Sequence, residues 1–88
     1  MTTSTIEALR QRLASLQPAR LNLTDESRRH VGHAGAGAGG HFQVDIVAAV
    51  FYGKNALARH RLVYDAAGDL LRHRIHALII NAHSPDEV

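Results

Sequence analysis

Cysteine is absent from the 88 residues, which removes disulfides, thiolate nucleophiles and every all-cysteine zinc or iron–sulfur site. A metal held by this chain must use His, Asp or Glu, or ligands borrowed from a partner. Long apolar runs are also missing. Ala77 to Ile80 falls far short of the ~20 residues that span a bilayer. No secretory leader is legible in the polar N-terminus, so the expected setting is the cytoplasm, with no membrane contact. Lys54 is the single lysine among 10 basic residues, and the formal net charge is only +2. That balance leaves nucleic-acid binding open without arguing for it strongly.

What is present in excess is histidine, seven in 88 residues. The remainder, 45% apolar and 20% charged, has the balance of a globular chain rather than a disordered one. Its length supports one core, hence a single domain over 1–88.

Ser4-Thr5-Ile6-Glu7 has the spacing of a capping box. Ile6, Leu9, Leu13 and Leu16 follow on one helical face until Pro18. Leu21 and Leu23 alternate with Asn22 and Thr24, the pattern of a short strand with one buried face. A glycine- and alanine-rich stretch punctuated by His30, His33 and His41 comes next, and a flexible loop is expected over 28–40. Phe42, Val44, Ile46, Ala48 and Val50 then alternate as a longer strand. Tyr52 to Asn55 reads as a turn with Asn55 as N-cap. Helical spacing runs from Ala56 through Leu71, with Asp65 expected to cap a second helix after a bend and Gly68 as a weak point inside it. Ile75 to Ala82 is short and β-branched, apolar on both faces, and therefore expected to be a central or well-covered strand. Residues 84–88 are expected to form a frayed tail.

Helix, strand, strand, helix, helix, strand favours an antiparallel first pair and a parallel last pair joined by a right-handed helical crossover. The expected fold class is α+β, a three-stranded mixed sheet with helices packed on one face.

Several chemistries find little support. No His-x-x-x-His pair with a helical carboxylate is present, against a self-contained zinc enzyme. His41, His73 and His83 are read as surface or edge residues. Asp25-Glu26 and Asp86-Glu87 are adjacent pairs at flexible flanks, and Ser27 near His30 lacks an oxyanion partner, so no enzyme is expected. The glycine-rich stretch precedes a strand and contains no lysine, unlike a phosphate loop. Lys54, Arg59-His60-Arg61 and Arg72-His73-Arg74 concentrate base in the last third. The GxxG matches lie between strands, whereas a KH domain carries its GxxG between helices.

Asp25-Glu26-Ser27 with His30, His41-Phe42, Gly53, Arg59-His60-Arg61-Leu62-Val63-Tyr64 and His76-Ala77-Leu78 together resemble the BolA family, in order and spacing, from about Ile6 to His83. The resemblance implies a class II KH-like fold, αββααβ. It implies a heterodimeric partnership with a monothiol glutaredoxin and a [2Fe–2S] cluster shared with that partner and glutathione, in iron–sulfur assembly, trafficking or iron and redox sensing. No group is expected on the isolated chain, which would be a monomer or weak homodimer. On this resemblance His76 is a metal ligand and the loop supplies another. His30 keeps its spacing from Asp25-Glu26-Ser27, whereas His33 lies deeper in the loop; both are carried. The alternative it implies is a DNA-binding transcriptional regulator of stress response and cell shape. Lys54, Arg59, His60 and Arg61 are then the candidates for nucleic-acid or partner contact. One departure is the basic run Arg72-His73-Arg74 after Gly68, where a less basic helix end is expected.

Overall fold

The computed structural model describes residues 4–26 and 40–88. Its elements are α1 (Thr5–Leu13), β1 (Arg20–Asp25), β2 (Gly40–Val47), α2 (Ala56–Ala67), α3 (Leu70–His73) and β3 (Ile75–His83). Short 3-10 turns lie at Ala14–Leu16, Ala49–Phe51 and Pro85–Glu87. The order is αββααβ. The strands form one mixed sheet, with β1 and β2 antiparallel and β2 and β3 parallel. Among the described residues no helix is long and apolar enough to cross a membrane.

Helix α1 starts where the Ser4 hydroxyl accepts a hydrogen bond from the Glu7 amide at 3.2 Å. The Glu7 carboxylate lies 3.6 Å from Arg10. Leu9 and Leu13 are completely buried, with Ile6 and Leu16 packed at the rim of the core. Each buried leucine stabilises the fold by about 1.5–3 kcal/mol. The antiparallel pair sets Leu21 opposite Ile46 and Leu23 opposite Val44. All four turn inward, while Asn22 and Thr24 stay exposed on the other face of the sheet. The helices cover the inward face, giving the expected two-layer α+β fold.

Two element boundaries and the position of one strand differ from the sequence expectation. Strand β2 ends at Val47, not Val50. Ala48 and Phe51 are fully buried while Val50 is exposed, because the Ala49–Phe51 turn breaks the alternation and folds the ring of Phe51 under the sheet. Helix α2 continues through Asp65 and stops at Gly68, whose φ of +60 suits glycine. A Cβ on Gly68 would lie 2.9 Å from a terminal nitrogen of Arg12. That guanidinium donates to the Ala67 carbonyl at 3.3 Å and pairs with Asp69 at 2.9 Å, so α1 is tied to the α2–α3 joint at the glycine. Third, β3 is an edge strand, since the order across the sheet is β1-β2-β3; β2 is the central one.

The tail expected to fray is ordered. Ser84 is buried and forms a reciprocal capping box with Glu87, with Pro85 at the first helical position. The Glu87 carboxylate accepts from the Ser84 amide at 2.9 Å, and the Ser84 hydroxyl donates to Asp86.

Candidate functional site

The site is built by a break in register between β2 and β3. Gly40 pairs with Ile75 and His41 pairs with Ala77, so His76 is an extra residue in β3. Ile75 is buried, and Leu78, Ile80 and Ala82 also face the core. Positions 75 and 78 share a face only because the bulge shifts the strand's phase by one. His76, the inserted residue, is left exposed.

The bulge also brings two imidazoles together. The rings of His41 and His76 have centroids 5.1 Å apart, tilted by 48°. His41 is the second residue of β2 and is half-buried, and its carbonyl accepts from the Glu26 amide at 2.7 Å. That bond closes the base of the β1–β2 hairpin, and Gly40, where the chain re-enters the sheet, pairs with Ile75 next to His76. His30 and His33 fall between Glu26 and Gly40 in sequence, outside the described residues. Among the described residues no group of three or more His, Asp or Glu is gathered to hold a metal ion.

The basic candidates lie elsewhere. Lys54, Arg59 and His60 line an open cleft of about 400 Å³ with Asn81, His83 and Glu87. This cleft is at the far end of β3, roughly 20 Å from His76 at ~3.3 Å per residue. The residues singled out in the sequence therefore divide between two places.

Arg59 does not present a free guanidinium. Its Nε donates to the Lys54 carbonyl at 2.8 Å and one terminal nitrogen donates to the Ala82 carbonyl at 3.0 Å. Both terminal nitrogens donate to Glu87, at 2.6 and 3.0 Å. With 12% of its side chain exposed, Arg59 ties together the turn before α2, the end of β3 and the terminal turn. Four of its five N–H donors are taken inside the chain, so a structural clamp is added to the docking role expected of it. Arg61 and Lys54 remain exposed, and His60 is half-buried.

The clamp has a pH signature. The Arg59 guanidinium, followed by the Ser84 amide, lowers the Glu87 carboxyl from 4.5 to about 2. The folded value lies below the unfolded one, so this contact stabilises the fold fully above pH 4.5 and is lost as pH falls toward about 2. Solvent screens it, because 40% of the Glu87 side chain is exposed. Acid unfolding followed by far-UV circular dichroism should be shallower over that window for Glu87→Gln than for the wild type. Superimposable slopes would show that the clamp adds nothing.

The sequence placed His41 at a surface or edge and within the family pattern, but its pairing with His76 carries no sequence signal, because it depends on where the bulge falls. The terminal capping box was legible as Ser-x-x-Glu with proline after the serine.

Comparison with known proteins agrees with this architecture. A family model described as BolA-like protein matches residues 13–87. The chain is 44% identical over 79 residues to SufE-like protein 1, chloroplastic/mitochondrial, of Arabidopsis thaliana; the match covers 83% of this chain and 21% of that protein. It is 36% identical over 74 residues to the DNA-binding transcriptional regulator BolA of Escherichia coli strain K12, covering 84% of this chain and 69% of the other. The solved BolA domain of SufE1 from Arabidopsis thaliana superposes with a TM-score of 0.85 at 39% identity, covering 100% of both chains. With the family model matching nearly the whole chain and the αββααβ fold shared with a solved BolA domain, the protein belongs to the BolA-like family.

Proposed function

We propose that this chain is a non-enzymatic adaptor that pairs with a monothiol glutaredoxin in the cytoplasm and shares a [2Fe–2S] cluster with it, in cluster assembly, trafficking or iron and redox sensing. The observation that carries the reading is the bulge that leaves His76 exposed beside Gly40, the first described residue after His30 and His33 in sequence. Without cysteine, the chain has no thiolate to offer, and its family-pattern ligands are imidazoles. Of the described residues His76 fits one position of the coordination sphere; the second ligand on this reading, His30 or His33, lies outside the described residues. Thiolates from the glutaredoxin and its glutathione would complete it. Imidazole in place of thiolate makes such a cluster less negative and raises its potential, and a histidine ligand is released by modest acidification. Both suit transfer or sensing better than permanent electron carriage.

The test is anaerobic co-reconstitution with a monothiol glutaredoxin, glutathione, iron and sulfide. A one-to-one complex with visible circular dichroism distinct from that of the glutaredoxin alone is expected. Absence of the complex would overturn the reading.

A DNA-binding role draws on the name of the bacterial relative. It has less support here, because Arg59 is committed to Glu87 and the RHR block is left with one exposed arginine. On that reading retention on DNA would fall steeply with salt.

A further inference from the structure

We propose that His41 and His76 form a two-histidine site for a divalent transition-metal ion on the free chain, with no glutaredoxin, glutathione or sulfide required. The two residues stand on neighbouring strands at the bulge, their ring centroids 5.1 Å apart and their planes tilted by 48°. An ion bound tetrahedrally to two imidazole nitrogens at about 2.0–2.1 Å sets the ring centroids about 5.2 Å apart. A stacked pair would be closer and nearly parallel. The observed separation leaves room for an ion between two ring nitrogens, and tilted ring pairs in direct contact fall in the same range.

The backbone fixes where the two residues stand. His41 is held by the β1–β2 ladder and by the Glu26 amide on its carbonyl, while Gly40 donates to the Arg74 carbonyl at 3.2 Å just before His76. The site therefore sits on paired strands, where the cost of ordering ligands has already been met by folding. Neutral imidazole suits Cu²⁺, Ni²⁺ and Zn²⁺, with Cu²⁺ bound most tightly of these. Two ligands leave the remaining positions open to water or to a donor from another molecule. Among the described residues no third protein ligand is gathered there.

The test titrates Cu²⁺ into the full chain in a non-coordinating buffer, read by electron paramagnetic resonance and by line broadening of histidine ring resonances. The first equivalent should show two imidazole nitrogens and broaden the rings of His41 and His76 before those of other histidines. His41→Ala and His76→Ala should each lose one nitrogen and bind roughly tenfold or more weakly. His60→Ala and His83→Ala, at the far end of β3, should bind as the wild type does. Thermal unfolding of the metal-free variants separates a lost ligand from a lost fold. Wild-type affinity and nitrogen count in His41→Ala would overturn the proposal. So would loss of the first equivalent in a His30→Ala/His33→Ala variant with His41→Ala unaffected, which would place the ion on the loop. Because no glutaredoxin is present, failure here leaves the shared-cluster reading untouched, and the reverse also holds.

Discussion

His76→Ala, co-reconstituted with the glutaredoxin, is expected to abolish the visible circular dichroism of the shared cluster while the chain remains folded. The two outcomes separate because of where the residue sits. As the inserted residue of the bulge, His76 is exposed, while Ile75 and Leu78 on either side carry the packing. Exposed substitutions away from packing usually change stability by within about 0.5 kcal/mol. Removing a ligand from a cluster with few protein ligands leaves a position that water fills poorly. His76→Cys provides the positive control: a thiolate at that position should restore a cluster and lower its potential relative to the wild type. Unchanged visible bands in His76→Ala would remove His76 from the ligand set, whatever the partner does.

Phe51→Ala is expected to destabilise the fold by about 3–5 kcal/mol, the usual cost of truncating a buried phenylalanine. A chain of this length has only about 4–13 kcal/mol of net stability, so the variant should be partly or wholly unfolded at 37 °C. Phe51 is the largest fully buried side chain and lies on a 3-10 turn outside the regular elements. Its ring joins a core supplied by α1, α2, β2 and β3, and the turn that carries it has little freedom to collapse into the space left. Urea unfolding at equilibrium measures the effect, with the midpoint lowered and the slope unchanged. A loss below about 1 kcal/mol would mean that the site relaxes around the cavity.

Both residues show what a sequence can and cannot carry. Helix α1 was legible because Ile6, Leu9, Leu13 and Leu16 repeat at helical spacing, and β2 because Phe42, Val44 and Ile46 alternate. These are local patterns, and local patterns survive in a string of letters. The run Ile75 to Ala82 looked apolar on both faces and hence central or well covered. It is an edge strand whose inward set changes phase at His76, so Ile75 belongs to one alternation and Leu78, Ile80 and Ala82 to the next. A register shift depends on the facing strand and leaves no mark in its own sequence. Arg59 was legible as a basic residue but not as a clamp, because its acceptors lie 23 and 28 residues away at Ala82 and Glu87. The ordered tail is a different case: Ser84-Pro85-Asp86-Glu87 states its own cap, and only its position after the last strand made it look loose.

The parallel pairing of β2 with β3 also sets an order of events during synthesis. β1 and β2 are consecutive in sequence and can pair by themselves, but a two-stranded ribbon is at best marginally stable in water. Strand β3 follows the whole α2–α3 crossover, and the Arg59 clamp closes only on Ala82 and Glu87 beyond it. Until residues 75–87 leave the ribosome, the inward face of β2 lacks one flank and Arg59 lacks its carboxylate. The domain therefore folds only once residues 75–87 have emerged, and the His41–His76 corner, which needs β3 paired in its bulged register, cannot form before then.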